Sequence, residues 1–268
     1  MTAAERSDWP IVVGGFYRSG TSLVRRLLDA HPRIYCGPEP AFFRDFTGDY
    51  IDDPLANVRF LQASRRLVPE SDLMEIVGAA FVRLHERAAK HAGKPRWADK
   101  DPMNTVHLAD WERLLGDRWL FLHVVRNPLD TLASLREAGF PRTMPADLDA
   151  QIDLWQRYTR AGLDFARRHP DRARQVRYED LVHDPGPVLA ELMAWLGESL
   201  DPGQLVLDPK RHQRGLEDAK ARHATSIHTE SVGRWHALLS PEEAERIEAT
   251  CGPLWAETLA AGEPGPAA

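Results

Sequence analysis

Cysteine is scarce in this chain: Cys36 and Cys251 are the only two among 268 residues, and neither has a C-x-x-C partner. That usage supports no disulfide framework, and free thiols in a reducing cytosol are expected. The eleven histidines fall in no H-E-x-x-H-like spacing, so no metal site is expected. No run of about 18 apolar residues is present that could span a bilayer. The opening MTAAERSDWP contains no signal-like apolar stretch, so a cytoplasmic location is expected. Positive charge is in deficit, with a formal net charge of −6, which argues against a general nucleic-acid binder.

One further absence is local. The segment IVVGGFYRSGTSLVRRLL, residues 11–28, has an apolar run, paired glycines, hydroxyls and the start of an amphipathic helix pattern. Gly15 and Gly20 have the spacing of a G-x-x-x-x-G-K-[ST] phosphate loop, but Thr21 stands where the Lys belongs and Arg18 lies inside the loop. A Mg²⁺-dependent ATP site would also want an Asp at the end of a second strand. The strongest strand signal, Trp119–Val125, ends instead in Arg126. A site of cations and hydroxyls suits a multiply anionic nucleotide held without metal, because glycines permit close backbone approach and a guanidinium fork matches an oxyanion.

What is present is an alternation of strands and helices. Strands are expected at 10–15, 34–36, 96–99, 119–125 and 174–178. Helices are expected at 20–30, within 55–92 with Ser71 or Asp72 as a cap, and at 104–115, 128–138, 146–169 and 186–197. A last helix is expected after Ser240 with Pro241 at its first position. In the first helix Leu23, Leu27 and Leu28 share a face, with Arg25 and Arg26 off it. The pattern indicates an α/β class, a three-layer P-loop-like fold with a central, mostly parallel sheet flanked by helices. One domain is expected over 1–268, with helical insertions around 41–92 and 140–170 and a disordered tail at 262–268. Ligands bind where the strands of such sheets end, so the loops at 14–22 and 126–134 are expected to meet.

GGFYRSGTSLVRRLLDAHP, FLHVVRNPLDTLAS, VRYEDLVHDP and SVGRW together resemble the sulfotransferases that use 3′-phosphoadenosine 5′-phosphosulfate (PAPS), over most of the chain. The resemblance implies that Arg18, Ser19, Gly20, Thr21 and Ser22 hold the 5′-phosphosulfate and that Arg126 and Ser134 grip the 3′-phosphate. It also implies that Tyr178 contacts the donor and that Arg234 lies near it. The product nucleotide, 3′-phosphoadenosine 5′-phosphate (PAP), would occupy the same site, with no metal. Tyrosylprotein sulfotransferases carry a further Arg where this chain has Ala138, with Arg136 and Arg142 nearby.

Sulfuryl transfer needs a base for the acceptor hydroxyl and a cation for the leaving phosphate. Glu39, in HPRIYCGPEP, resembles the family's catalytic Glu; His107 and His123 are the alternative bases. Lys100, in RWADKDP, resembles the Lys that approaches the bridging oxygen. Ser226 or Thr225 is a candidate transition-state hydroxyl. The basic segment 210–223, with Lys210, Arg211, Arg214, Lys220 and Arg222, either closes over the nucleotide, binds an anionic acceptor or is a solvated loop. The expected partner is a small-molecule, glycoside or lipid hydroxyl acceptor. Phe42, Phe43, Trp155 and Tyr158 could stack on it, although apolar residues at helical spacing are more often core. The alternatives are a P-loop kinase-like phosphotransferase and a nucleotide-binding protein without catalysis.

Overall fold

A computed structural model describes residues 3–47, 61, 63–139, 143–208 and 225–262. In chain order the elements are α1 (Ala3–Arg6), β1 (Ile11–Gly15), α2 (Thr21–Ala30), β2 (Ile34–Cys36), α3 (Phe42–Thr47), α4 (Glu70–His91) and β3 (Arg96–Lys100). A 3-10 turn (Pro102–Val106), α5 (Leu108–Leu115), β4 (Leu120–Val125), α6 (Pro128–Ala138), α7 (Leu148–Arg168) and β5 (Ala173–Arg177) follow. The chain continues through α8 (Tyr178–His183), α9 (Pro185–Leu196), a 3-10 turn (Pro202–Leu205), α10 (Trp235–Leu238) and α11 (Pro241–Gly262). No helix among the described residues is long and apolar enough to cross a membrane.

The five strands pair in the order β2-β3-β1-β4-β5, all parallel. β1 therefore lies at the centre, and its neighbours β3 and β4 come later in the chain. A parallel sheet is covered on both faces, and alternate residues serve alternate cores. Ile11 and Val13 pack with Val24, Leu27 and Leu28 of α2 and Leu192 and Met193 of α9. Val12 packs on the other face with Trp97, Trp111, Phe121 and Phe165. A third cluster joins α6, α7 and α11 through Leu132, Trp155, Tyr158, Ile247 and Cys251. Both cysteines are free and buried.

The period-2 rule also sorts the polar residues of β3. Ala98 and Lys100 share the α2 face, whereas Trp97 and Asp99 face α4, where His85 Nε2 lies 3.1 Å from Asp99 Oδ1.

Several expectations need correction. Lys100 is the last residue of β3 rather than a loop residue, and pairs in register with Val13 of β1. Tyr178 opens α8 rather than ending the strand. The 104–115 segment splits into a 3-10 turn and a helix, separated by His107. Neither Ser71 nor Asp72 caps α4, whose preceding residue is Pro69 without a side-chain cap. Ser240 does cap α11, its Oγ accepting the Glu243 N–H at 3.2 Å.

Arg25 and Arg26 are not off the buried face: both are buried. Arg25 Nη1 satisfies the carbonyls of Cys36 and Gly37, each at 3.1 Å, so the guanidinium closes the end of β2. Phe43, Trp155 and Tyr158 are core, and Phe42 is stacked on Phe81 with ring centroids 4.1 Å apart. The basic segment 210–223, Arg142 and residues 263–268 lie outside the described residues.

Candidate active site

Sterics shape the loop after β1. A Cβ on Gly14 would come within 2.4 Å of Thr105 Oγ1, and one on Gly15 within 2.3 Å of the Val124 carbonyl. Gly20, at φ 101°, presses its Cα against Tyr178, and a Cβ there would stand 2.4 Å from the ring. The backbone is thus packed too closely for side chains at these three positions. Arg18 adopts φ 67°, a left-handed conformation rarely accepted outside glycine, which is typical of loops shaped for a ligand. Gly20 then precedes the first turn of α2, whose N-terminus carries partial positive charge.

Beside the loop, the ends of β4 and β5 contribute a second group. Arg126 follows β4 directly; its Nη1 donates to the Arg18 carbonyl at 2.9 Å and its Nη2 to the Ser231 carbonyl. Its guanidinium lies over the Tyr178 ring, 4.6 Å from the centroid. Burial pushes its pKa down, with Tyr178, Asp130 and Glu179 opposing the shift. Arg18 Nε donates to Ser134 Oγ at 3.1 Å, so the loop and α6 are joined across the cleft.

The segment carrying Arg234 is strapped onto α6 by Asp130, which accepts from the N–H of Gly233 at 2.8 Å and of Trp235 at 3.1 Å. Arg234 itself pairs with Glu137 at 2.9 Å. Of the residues near Ala138, Arg136 is engaged by Glu243.

These elements border one open cleft. Arg18, Gly20, Thr21, Ser22, Arg126, Ser134, Tyr178, Arg234 and Ser226 all line it. Ser19 lies behind the wall, 2% exposed, with its Oγ buried and unpartnered. Thr225 is exposed and does not line the cleft.

Sequence reasoning missed Arg26, His228 and Ser231, which also line the cleft. The signal for Arg26 was its place one turn after Ser22, which puts both on one helix face. Asp130 was also missed, although an acid in the first turn after Arg126-Asn127-Pro128 was a visible candidate for anchoring a neighbouring backbone.

Lys100 and Glu39 meet at the C-terminal end of β3. Lys100 is 2% exposed; its Nζ contacts Glu39 Oε2 in an ion pair and lies 3.4 Å from Ser22 Oγ. The pair therefore adjoins the first turn of α2 through the Ser22 hydroxyl. Ala41, two residues beyond Glu39, has φ 52°.

The alternative bases are placed differently. His123 lies inside β4 on the face covered by α7, its ring against Gly162, and burial pushes its pKa down to about 4. It is a core residue. His107 stacks on Phe43 with centroids 4.4 Å apart and hydrogen-bonds Asp110 at 2.9 Å.

A parallel sheet with a glycine loop between its central strand and the following helix defines an α/β protein of P-loop-like fold. The family model for the sulfotransferase family matches residues 10–202, and the chain belongs to that family of sulfuryl-transferring enzymes. A putative protein-tyrosine sulfotransferase of Caenorhabditis briggsae is 24% identical over 248 residues, covering 89% of this chain and 84% of that protein. In structure the chain is similar to the sulfotransferase domain of the Synechococcus PCC 7002 olefin synthase. That likeness has a TM-score of 0.62 and 22% identity, covering 91% of this chain and 94% of that one. It is also similar to a mouse sulfotransferase, SULT7A1, complexed with PAP, with a TM-score of 0.52 and 14% identity over 95% of this chain and 84% of that one. Family membership displaces the kinase-like and catalytically inactive alternatives.

Proposed function

We propose that the chain transfers a sulfuryl group from PAPS to a hydroxyl acceptor by metal-independent in-line displacement, leaving PAP in the cleft. The observation that carries this reading is the meeting of two cation-and-hydroxyl groups in one cleft, with the Lys100–Glu39 pair beside its phosphate loop. The residues present fit a doubly phosphorylated nucleoside. Arg126 Nε is buried without a partner, as expected of a group awaiting an anion. Ser134 accepts from Arg18 and keeps its hydroxyl proton to donate.

PAPS supplies an activated sulfuryl group on a 5′-phosphate. Arg18, Gly20, Thr21 and Ser22 bind that end through the loop and the α2 N-terminus, while Ser19 braces the loop from behind. Arg126 and Ser134 select the 3′-phosphate, with Tyr178 and Arg234 along the same wall. Lys100 stabilises charge developing on the leaving phosphate, and Glu39 takes the acceptor's proton. The Lys100–Glu39 contact holds both groups in place before substrates arrive. Ser226 lies on the cleft wall as an additional donor hydroxyl. The acceptor is a small molecule, glycoside or lipid in the cytoplasm.

Calorimetry without Mg²⁺ tests the donor assignment. PAP should bind at least tenfold more tightly than ATP, a difference of about 1.4 kcal/mol; equal affinities would refute it.

A further inference from the structure

One wall of the cleft is supplied by Ser226, Ser231 and Arg234, which belong to no strand or long helix. Residues 225–234 form turns, and α10 after them is a single short turn of helix. A segment without ladder hydrogen bonds keeps its place through its contacts with the rest of the molecule. Among the described residues, three of its backbone groups reach the far side of the cleft. The Ser231 carbonyl accepts from Arg126 Nη2. The N–H groups of Gly233 and Trp235 donate to Oδ2 and Oδ1 of Asp130, at 2.8 Å and 3.1 Å.

Asp130 lies in the first turn of α6, is 3% exposed and joins no ion pair among the described residues. Both of its oxygens are therefore given to this segment. Hydrogen bonds to a charged acceptor are stronger than those to a neutral one. Gly233 has φ 75°, a left-handed conformation at which the chain turns, so that the N–H groups on either side of Arg234 reach one carboxylate. The Arg234 side chain adds little, because its pair with Glu137 is half-exposed.

These contacts are linked to Arg126. The Arg18 carbonyl fixes its Nη1 and the Ser231 carbonyl its Nη2, while the buried Nε has no protein acceptor. The direction of that Nε depends on Ser231, two residues before the Gly233 that Asp130 holds.

We propose that Asp130 is a positioning residue for the nucleotide's 3′-phosphate. By latching residues 231–235 onto α6, it keeps the Ser231 carbonyl on Arg126 and so sets the guanidinium that grips the phosphate. The proposal rests on the reading of Arg126 as the 3′-phosphate group.

Calorimetry with PAP and with adenosine 5′-phosphate, which lacks the 3′-phosphate, separates this role from general loosening. In Asp130→Asn the amide keeps one acceptor oxygen and sets a donor against the second backbone N–H. PAP affinity should fall about tenfold, the scale of one lost hydrogen bond to a charged group, while adenosine 5′-phosphate stays within about twofold. Gly233→Ala attacks the same latch from outside α6. Its Cβ meets nothing nearer than His236 Cδ2 at 4.0 Å, so only the left-handed turn is strained, and the preference for PAP should fall about threefold. Hydrogen exchange reads the latch without a ligand: the Gly233 and Trp235 amides should exchange about tenfold faster in Asp130→Asn. Equal losses for the two nucleotides, an unchanged preference for PAP, or unchanged exchange at those amides would overturn the proposal. A parent that does not prefer PAP refutes the reading of Arg126, whereas a parent that does, with an unchanged variant, refutes only the role of Asp130.

Discussion

The two halves of the site handle charge in opposite ways. At the end of β4, Arg126 is held by uncharged partners, two backbone carbonyls and an aromatic ring, while Arg18 of the loop after β1 donates to a serine hydroxyl. Arg126 joins no ion pair among the described residues, which suits its charge to meeting an anion. At the end of β3, a single lysine is matched to a glutamate and surrounded by further acids. The first arrangement suits binding of a polyanion, and the second suits moving a proton and answering transient charge. Binding and chemistry should therefore be separable by mutation.

The largest effect is expected on the β3 side. Lys100→Ala should lower turnover by about 10²–10³-fold, the range for loss of one positioned charge donor. PAP affinity should change little, as calorimetry on the same preparation would reveal. Glu39→Gln should cost about 10²-fold in turnover, as for loss of a general base. His107→Gln should leave turnover within about an order of magnitude below that loss, because general-base catalysis alone contributes about 10²-fold or more. A larger loss in the histidine variant would move the base to His107.

On the other side the expected effects are on affinity. Arg126→Ala should weaken PAP by about tenfold or more, the value of a charged hydrogen bond at about 1.5–3 kcal/mol. Turnover at saturating donor should fall less, and steady-state kinetics over a donor series checks the split. Gly20→Ala forces a Cβ into the Tyr178 ring at a left-handed φ, so both PAP affinity and thermal midpoint should drop. The smallest effect belongs to Arg234→Ala. Its guanidinium is half-exposed and paired with Glu137, so the pair contributes only about 0–1 kcal/mol.

Much of this contrast was legible in the residues. The strand-glycine-hydroxyl-helix order at 11–28 and the Arg126-Asn127-Pro128 stop placed both loops at the same sheet edge, because parallel α/β sheets put their ligand loops there. Ser134 was singled out by the resemblance to the sulfotransferases, and its hydroxyl meets Arg18 on the cleft wall. What remained hidden depends on long-range partners. Hydropathy places Arg25 on a solvent face, since no local signal tells that its guanidinium will close the end of β2. Likewise Lys100-Asp101 reads as a polar loop until the register with β1 shows that Lys100 ends a buried strand.

His123 illustrates the opposite case. It lies inside an apolar strand run, where a core residue is the ordinary occupant, and alternation accounts for its burial: it points to the α7 face, where Gly162 leaves room for the imidazole. Glycine there serves packing rather than a turn. The three glycines of the phosphate loop serve close approach, each to a different neighbour.

The most direct test of separate binding and chemical halves measures PAP affinity and single-turnover sulfuryl transfer on Arg126→Ala and Lys100→Ala side by side. The account predicts a crossed result: weakened PAP with chemistry largely retained at saturation for Arg126→Ala, and intact PAP binding with transfer nearly abolished for Lys100→Ala. Parallel losses of both quantities in both variants would contradict it.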